Sequence, residues 1–311
     1  MMLDNRTILE KADLALSDLL SGGELVPAQA KKFIRLLILE SVVLGMATVR
    51  PMAAPKSRIE KIRFGGRVLR AGSPGTALPA GDRVKPDLSK VELDAKLFKA
   101  QANLEDEVLE DNIEQGSLRQ TIMELLGEAV SRDLEEVTVQ GDTGSADTFL
   151  AQFDGMLAAA TSNTVGPVAG PLVSTVLKNM IKDMPKEFIR NKKKLRFLTG
   201  TDAEIDYRET LSNRNTVVGD RFLQDDAPIM YSGIPLEDVP LFPENLGGGS
   251  NETNVILTDP KNLLLGIWRR IRMETDKDIE AGVLKVVITM RCDFKYMHEP
   301  AVVKATGVTV S

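Results

Sequence analysis

Apolar and charged side chains alternate along two stretches in the amino-terminal third of the chain. The alternation is strict over residues 91–97, which is typical of a strand with one buried face. A basic stretch over residues 58–70 precedes it, with Ile62 and Phe64 expected on one side. The Gly- and Pro-rich residues 71–87 between the two predict the tip of a long β-arm. An isolated two-stranded ribbon is only marginally stable in water, so we expect its apolar face to be covered elsewhere on the chain or by another subunit.

Helical periodicity is clearest after residue 116. Ser117 stands at an N-cap position and Gln120 follows three residues later, as in a capping box. Apolar residues at helical spacing then predict a long helix over residues 117–137. Other segments are predicted as helices at 4–20, 27–43, 171–189 and 201–211, with Pro185 ending or kinking the third, and as strands at 195–198 and, broken by turns, 229–242.

The strongest strand pattern lies near the carboxyl end. Apolar side chains occupy every second position over residues 284–296, and residues 267–274 are predicted to form the partner strand. Two long strands joined in this way predict a projecting hairpin. Its turn, residues 275–282, is charged through Asp276, Lys277, Asp278 and Glu280.

Composition and charge narrow the function classes. The 311 residues suggest two domains or one elaborate one, and no apolar run is long enough to cross a membrane. No signal pattern is present at the amino terminus, and a single cysteine, Cys292, excludes an intrachain disulfide or a thiolate cluster. A formal charge of -6 argues against nucleic-acid binding as the main function. The lysines at 192–194 are interpreted as part of a solvated loop that is able to contact a phosphate.

No catalytic, cofactor or metal site is predicted. His298 is the only histidine, which rules out a paired-histidine metal site, and it is interpreted as a surface residue. Asp142 and Asp147 flank a turn without full calcium-loop spacing, and the glycine-rich stretches lack the lysine of a phosphate-binding loop. The adjacent carboxylates of Glu135 and Glu136 are expected to be solvated.

The order of these elements resembles the major capsid protein of tailed bacteriophages, with the Hong Kong 97-type fold. The phrases FDGMLAAA at 153–160, YSGIPLEDVPLFPE at 231–244 and ILTDPKNLLLGIWRRIRMETDKD at 256–278 are similar to segments of such proteins, as is the stretch 287–303. The resemblance implies an α+β fold made of an amino-terminal arm, an extended β-loop, a peripheral domain with a long spine helix, and an axial domain.

The resemblance also implies domain boundaries in this numbering. The arm would be 1–51, the extended loop 52–103, the peripheral domain 104–147 with 265–298, the spine helix 117–137, and the axial domain 148–264 with 299–311. The loop would lie over a neighbouring subunit. The turn of the peripheral hairpin would meet its copies near threefold contacts, and the axial domain would surround fivefold and sixfold axes.

The implied function is structural. Subunits of this family assemble through pentamers and hexamers into an icosahedral shell around the double-stranded DNA genome, which is enclosed without sequence-specific binding. The implied partners are further copies of the chain, a separate scaffolding protein unless a scaffolding domain has already been removed, a portal and, in some relatives, a decoration protein, with no membrane. Assembly in the host cytoplasm would place the protein in the virion. Two alternatives remain open: an encapsulin-like nanocompartment shell, and a nonviral α+β enzyme that forms a small oligomer.

Charged residues of the arm and of the hairpin turn are the candidate intersubunit contacts. The arm arginines either meet acidic surfaces of a neighbour or keep an exposed ribbon soluble. Lys85, Lys90 and Lys96 are candidate donors for an isopeptide bond, but no asparagine partner is identified and no such bond is predicted. The full candidate set is Arg58, Arg63, Arg67, Arg70, Glu105, Asp106, Glu107, Asp276, Lys277, Asp278 and Glu280.

Overall fold

The computed structural model describes residues 23–24, 41–64, 67–72, 75, 77–105, 117–212, 228–268, 272–278 and 281–311. The strands in this part are β1 Gly23–Glu24, β2 Thr48–Met52, β3 Lys56–Arg63, β4 Asp87–Asp94, β5 Lys96–Glu105, β6 Thr164–Val165, β7 Gly170–Pro171, β8 Arg196–Thr199, β9 Met230–Tyr231, β10 Ile234–Asp238, β11 Glu252–Thr258, β12 Leu263–Trp268, β13 Arg272–Asp278, β14 Val283–Tyr296 and β15 Val303–Thr309. The α-helices are α1 Val42–Met46, α2 Ser117–Gln140, α3 Met156–Ala159, α4 Ser174–Asp183 and α5 Thr201–Ser212.

A first sheet is built around β14. Its order is β1-β13-β14-β12-β2, and β5 pairs with the other edge of β14 over ten residues. The even-numbered residues of β14 are buried, as the alternation predicted. Helix α2 covers this sheet, with Val130, Leu134 and Val137 in the same core as Ile288 and Met290. The predicted helix at 117–137 is therefore confirmed, and it continues to Gln140.

The hairpin turn is shorter than expected. Pairing of β13 with β14 continues to Asp278 opposite Val283, so the predicted strand at 267–274 and turn at 275–282 were misplaced. Asp276 and Lys277 are exposed and Asp278 pairs with Lys285, so the backbone ladder continues through these charged residues. The strand before the gap at 269–271 is β12, which pairs with the last third of β14 instead.

A second sheet has the order β6-β15-β11-β8-β10-β9, and β7 also pairs with β15. Helices α4 and α5 supply Leu177, Met180 and Tyr207 to its core, which they share with Phe197 of β8. The predicted helix at 171–189 is confirmed only in its middle, because α4 ends before Pro185. The predictions at 195–198, 201–211 and 229–242 correspond to β8, α5 and the short β9–β10 pair.

The arm is a hairpin of β3 and β4, with Lys56 opposite Asp94 and Arg63 opposite Asp87. The strand predicted over 91–97 is divided at Ala95, whose N–H donates to the Pro55 carbonyl at 2.9 Å. Residues up to Asp94 pair with β3, and residues from Lys96 onward pair with β14. Beyond Ala95, β5 belongs to the first sheet. The first limb also ends at Arg63, well before residue 70. The extended loop expected over 52–103 therefore includes a strand that pairs with β14.

Most of the amino-terminal segment lies outside the described residues, including the predicted helix at 4–20 and most of that at 27–43. Gly23 pairs with Met273, so β1 forms the outer strand of the first sheet. A new short helix, α1, begins after Ser41, whose Oγ accepts the Leu44 N–H at 3.0 Å. Among the described residues, no helix is long and apolar enough to span a membrane.

Candidate assembly surfaces

The base of the arm packs on its own chain. The register of β3 and β4 places Ile59 opposite Val91 on the inner face of the hairpin. Both side chains contact a small buried cluster formed by Met52, Leu93, Ala95 and Leu264. Part of the apolar surface of the arm is thus covered by its own chain, which was one of the two expected alternatives. The other was cover by another subunit.

The far end of the arm is not covered by the described part of the chain. Ile62 lies opposite Leu88 on the outer face, and these side chains are 70% and 76% exposed. Single exposed apolar residues are ordinary, but a contiguous group marks a contact surface. Further exposed apolar residues near this end are Phe64, Val68, Leu69 and Leu78.

Two arm arginines, Arg58 and Arg63, lie on β3, where each contacts a carboxylate of its own chain. Arg58 lies 2.9 Å from Glu92, and hydrogen bonds from Lys90 and Arg58 lower the pKa of the Glu92 carboxyl. Arg63 lies 2.9 Å from Glu187 and stacks over the ring of Phe188 at 5.8 Å.

The other two arginines lie in the loop at the arm tip. Arg70 lies 3.5 Å from Asp82. Arg67 forms no ion pair with any residue in the described ranges. Arg67 therefore keeps the most freedom to meet a neighbour, whereas the other three would have to exchange partners. The intersubunit role of all four remains a prediction.

A buried carboxylate fixes the arm to the first sheet. The Asp94 N–H donates to Asp293 Oδ2 at 2.7 Å, and Asp293 is almost fully buried. Burial raises the pKa of the Asp293 carboxyl. Lys61 adds a second attachment by donating to the Met297 carbonyl. Sequence analysis missed Asp293 because it lies among the odd-numbered residues of β14, which are mostly polar. The face formed by these residues is expected to be exposed, but the base of the arm covers Asp293.

The charged hairpin turn is partly paired within the subunit. Lys285 lies 2.8 Å from Asp278, and this hydrogen bond raises the pKa of the Lys285 ammonium. Asp276 and Lys277 are exposed, so they remain candidate contacts. The backbone of Glu105, the first of the three consecutive acidic candidates at 105–107, pairs with Val283, which places it beside this turn. The remaining acidic candidates, Asp106, Glu107 and Glu280, lie outside the described residues.

Residues considered for chemistry occupy structural positions. The Asp142 and Asp147 carboxylates accept the N–H groups of the residues two positions on, each at 2.8 Å, so the predicted structural turn is confirmed. His298 is half-buried beside Phe188, and burial together with nearby Lys61 and Arg63 lowers its pKa. Across the described ranges, no group of three or more His, Cys, Asp or Glu side chains is arranged to hold a metal ion.

One carboxylate differs from expectation. Glu135 is buried, and its Oε1 accepts the Val43 N–H at 2.6 Å. The predicted solvated position of Glu135 is therefore wrong, because α1 packs on this part of α2 and leaves an N–H group that needs an acceptor. The contact ties the segment before the arm to the long helix.

The chain is similar in sequence to a capsid protein and in fold to solved capsid structures. No protein-family model matches the chain. It is 36% identical over 308 residues to the "Putative prophage capsid protein YqbE" of Bacillus subtilis (strain 168), covering 98% of this chain and 99% of that protein.

Two solved structures illustrate the likeness in fold. The chain resembles a subunit of the satellite phage P4 procapsid with a TM-score of 0.68 and 13% identity, covering 100% of this chain and 99% of that one. It also resembles a subunit of the SrpI encapsulin complex from Synechococcus elongatus PCC 7942, with a TM-score of 0.60 and 11% identity over 100% and 98% of the chains. The likeness shows the mixed helix-and-sheet fold that the resemblance implied.

Proposed function

The chain belongs to the family of bacteriophage capsid proteins with the Hong Kong 97-type fold, and we propose that its pentamers and hexamers close into an icosahedral shell around double-stranded DNA. The uncovered apolar end of the arm is the observation that carries this proposal. A subunit that leaves Ile62 and Leu88 in water gains stability when a second copy covers them. Repetition of such contacts under closed symmetry gives a shell from many weak interfaces.

The two sheets have different roles in this proposal. The first sheet, with α2 and the β13–β14 hairpin, forms the peripheral part, and the charged end of the hairpin meets its copies. The second sheet, with α4 and α5, forms the axial part around the fivefold and sixfold axes. Arg67, Asp276 and Lys277 are the candidate contacts that combine exposure with a position at a projecting end.

The protein acts as a structural component of the virion and performs no catalysis. A separate scaffolding protein directs its assembly in the host cytoplasm, and a portal occupies one vertex of the shell. A decoration protein is a further partner of the assembled surface. The support for these partners is membership of the capsid family.

A nanocompartment that encloses protein cargo is the second candidate, since the encapsulin subunit shares the fold. The phage capsid function is favoured because the relative at 36% identity is named as a prophage capsid protein, whereas the encapsulin likeness is at 11%. The function of an unrelated enzyme would not explain the long arm, which argues against that alternative.

Electron microscopy of the purified native assembly, with light scattering for its mass, tests the proposal. We expect closed icosahedral particles, or rings of five and six subunits when assembly is incomplete. DNA within the particles would support the virion, and a protein cargo without DNA would support the nanocompartment. A uniform monomer or dimer, even with a scaffold protein supplied, would overturn the shell.

A further inference from the structure

A short helical segment carries four exposed basic residues. Residues Ile189–Lys194 form two short 3₁₀ turns separated by a kink at Asn191, and we call Arg190, Lys192, Lys193 and Lys194 within them the basic ridge. No member of the ridge forms an ion pair with a carboxylate in the described part of the chain. This differs from the arm, where three of four arginines already contact acidic side chains. Local positive charge without a partner stands out in a chain with a formal charge of -6.

Hydrogen bonds hold the carboxyl-terminal half of the ridge. Arg196 Nη1 donates to the carbonyls of Lys193 at 2.8 Å and Leu195 at 2.9 Å. Its Nε lies 2.9 Å from Glu237 on β10. The Leu195 N–H donates to the Lys192 carbonyl at 3.1 Å, which closes the last turn of the ridge. The lysines therefore project from a backbone fixed to the second sheet, and a ligand that binds them does not have to order the segment.

A cleft of about 430 Å³ lies beside the ridge, and further positive side chains line it. Four of its lining residues are positive, namely Lys193, Lys194, Arg196 and Lys261, and two are negative, namely Glu237 and Asp259. Glu237 is engaged by Arg196, and Asp259 accepts the Lys261 N–H at 3.0 Å. The lysine ammonium groups are left to an external anion, and the cleft has a net charge of +2 from these six residues.

We propose that the basic ridge and its cleft bind the phosphodiester backbone of the double-stranded DNA inside the shell. This inference rests on the proposed function and names the surface that would contact the genome. Lysine ammonium groups recognise phosphate as point charges, and phosphate contacts position a protein without reading sequence. The described residues that line the cleft include no aromatic side chain on which an unpaired base would stack, which favours a duplex over a single strand.

Lysine labelling in intact particles tests this contact. DNA-filled particles and particles emptied of DNA from the same preparation are treated with the sulfosuccinimidyl ester of acetic acid, and acetylation is mapped by mass spectrometry. We expect Lys193 and Lys194 to react several-fold more slowly in filled particles, with the protection lost as salt is raised. Lys178 and Lys182, exposed on the nearby helix α4, are the internal control and should react equally in both.

Equal reaction of the ridge lysines in filled and emptied particles would overturn the inference. Protection that persists after the DNA is removed would also overturn it, because the ridge would then contact a protein, such as an acidic surface of a neighbouring copy.

A second measurement separates this inference from the proposed function. Binding of the purified protein to a fluorescent 30-base-pair duplex is followed against salt for Lys193→Gln with Lys194→Gln, and for the charge-matched control Lys178→Gln with Lys182→Gln. The ridge variant should bind more weakly and lower the slope of log affinity against log salt by about one per lysine. The control should bind as the unmodified protein does.

An unchanged slope in the ridge variant would contradict the inference even if particles form. Absence of particles would contradict the proposed shell. The duplex measurement would still show whether the ridge lysines bind DNA.

Discussion

Asp293 shows how a single buried side chain secures the arm. Replacing it with Ala removes the acceptor of the Asp94 N–H and should lower the free energy of unfolding by about 1–3 kcal/mol. Replacing it with Asn keeps an oxygen acceptor of the same shape and should cost less than the Ala replacement. Urea unfolding of the unassembled subunit measures both. Equal losses in the two variants would mean that the hydrogen bond does not secure the arm.

The same residue predicts a pH dependence. Burial raises the pKa of Asp293 in the folded state, so the folded protein binds this proton more tightly than the unfolded chain does. Stability contributed by Asp293 is therefore present below the unfolded pKa of about 3.9 and is lost as pH rises through the folded value. Relative to the unmodified protein, Asp293→Asn should gain stability between pH 4 and pH 7. A constant difference across that range would contradict the assignment.

Cys292 lies next to Asp293 and should be inert while the protein is folded. The thiol is fully buried, and burial raises its pKa, so little thiolate is present to act as nucleophile. We expect no reaction with an aromatic disulfide reagent at pH 8 and complete reaction of one thiol per chain in urea. Rapid reaction of the native protein would show that the β14 face opens.

At the scale of elements, two glycines join α2 to the loop that follows it. The Gly155 N–H donates to the Gly141 carbonyl at 2.8 Å. A Cβ on Gly155 would lie 2.6 Å from the Thr138 carbonyl oxygen, and one on Gly141 would lie 2.4 Å from that of Val137. Only residues without a side chain allow the end of the helix and the FDGM segment to approach this closely.

Gly155→Ala should therefore destabilise the subunit by more than about 1 kcal/mol, since backbone atoms on both sides must move. Gly248→Ala is the control, because nothing lies within 4 Å of the position its Cβ would take and its φ is not in the left-handed region. Thermal unfolding of the two variants decides the point. A loss of equal size in both would show that the close contact at residue 155 is relaxed without cost.

The strands differ in how far their sequence pattern predicts their pairing. Alternation located β14 well, because one buried face persists along its whole length. The same pattern over residues 91–97 continues unchanged past Ala95, although the chain pairs with β3 before this residue and with β14 after it. Periodicity reports which face of a strand is buried, and it does not report which sheet buries it. The partners of β4 and β5 are set by contacts distant in sequence.

The candidate contacts show the same limit. The sequence identified the basic arm, but the register of β3 with β4 decides that Arg58 contacts Glu92. Asp293 and Glu135 were missed or misplaced because their burial depends on segments that pack on them from elsewhere in the chain. A charged residue in a polar position carries no local sign that a distant segment will cover it.

At the scale of the whole molecule, the two sheets are joined where the chain passes between them twice, from β11 to β12 and from β14 to β15. Asn262 precedes β12 and contacts the segment between β14 and β15. Its Oδ1 accepts the His298 N–H at 2.7 Å, and its Nδ2 donates to the His298 carbonyl at 2.9 Å. These hydrogen bonds tie the two sheets together, whereas Ile62 and Leu88 at the arm end stay exposed to solvent.

The arm end is therefore the place to separate assembly from folding. Ile62→Ser combined with Leu88→Ser removes apolar side chains that are mostly in water in the single subunit, so its unfolding should change by less than about 0.5 kcal/mol. In the shell each of these side chains would contribute about 1.5–3 kcal/mol to a contact, and each 1.4 kcal/mol is about tenfold in affinity. We expect folded subunits that fail to form particles where the unmodified protein assembles, as seen by light scattering and electron microscopy.

The matched control keeps the apolar character of the pair. Ile62→Val with Leu88→Val leaves smaller apolar side chains at the same cross-strand position and should still give closed particles. The contrast between the two variants isolates apolar burial from any effect on the hairpin itself, since serine and valine both fit an extended backbone. Normal assembly of the serine variant would show that the arm end stays exposed in the shell, and the source of subunit cohesion would have to be sought at the charged hairpin end instead.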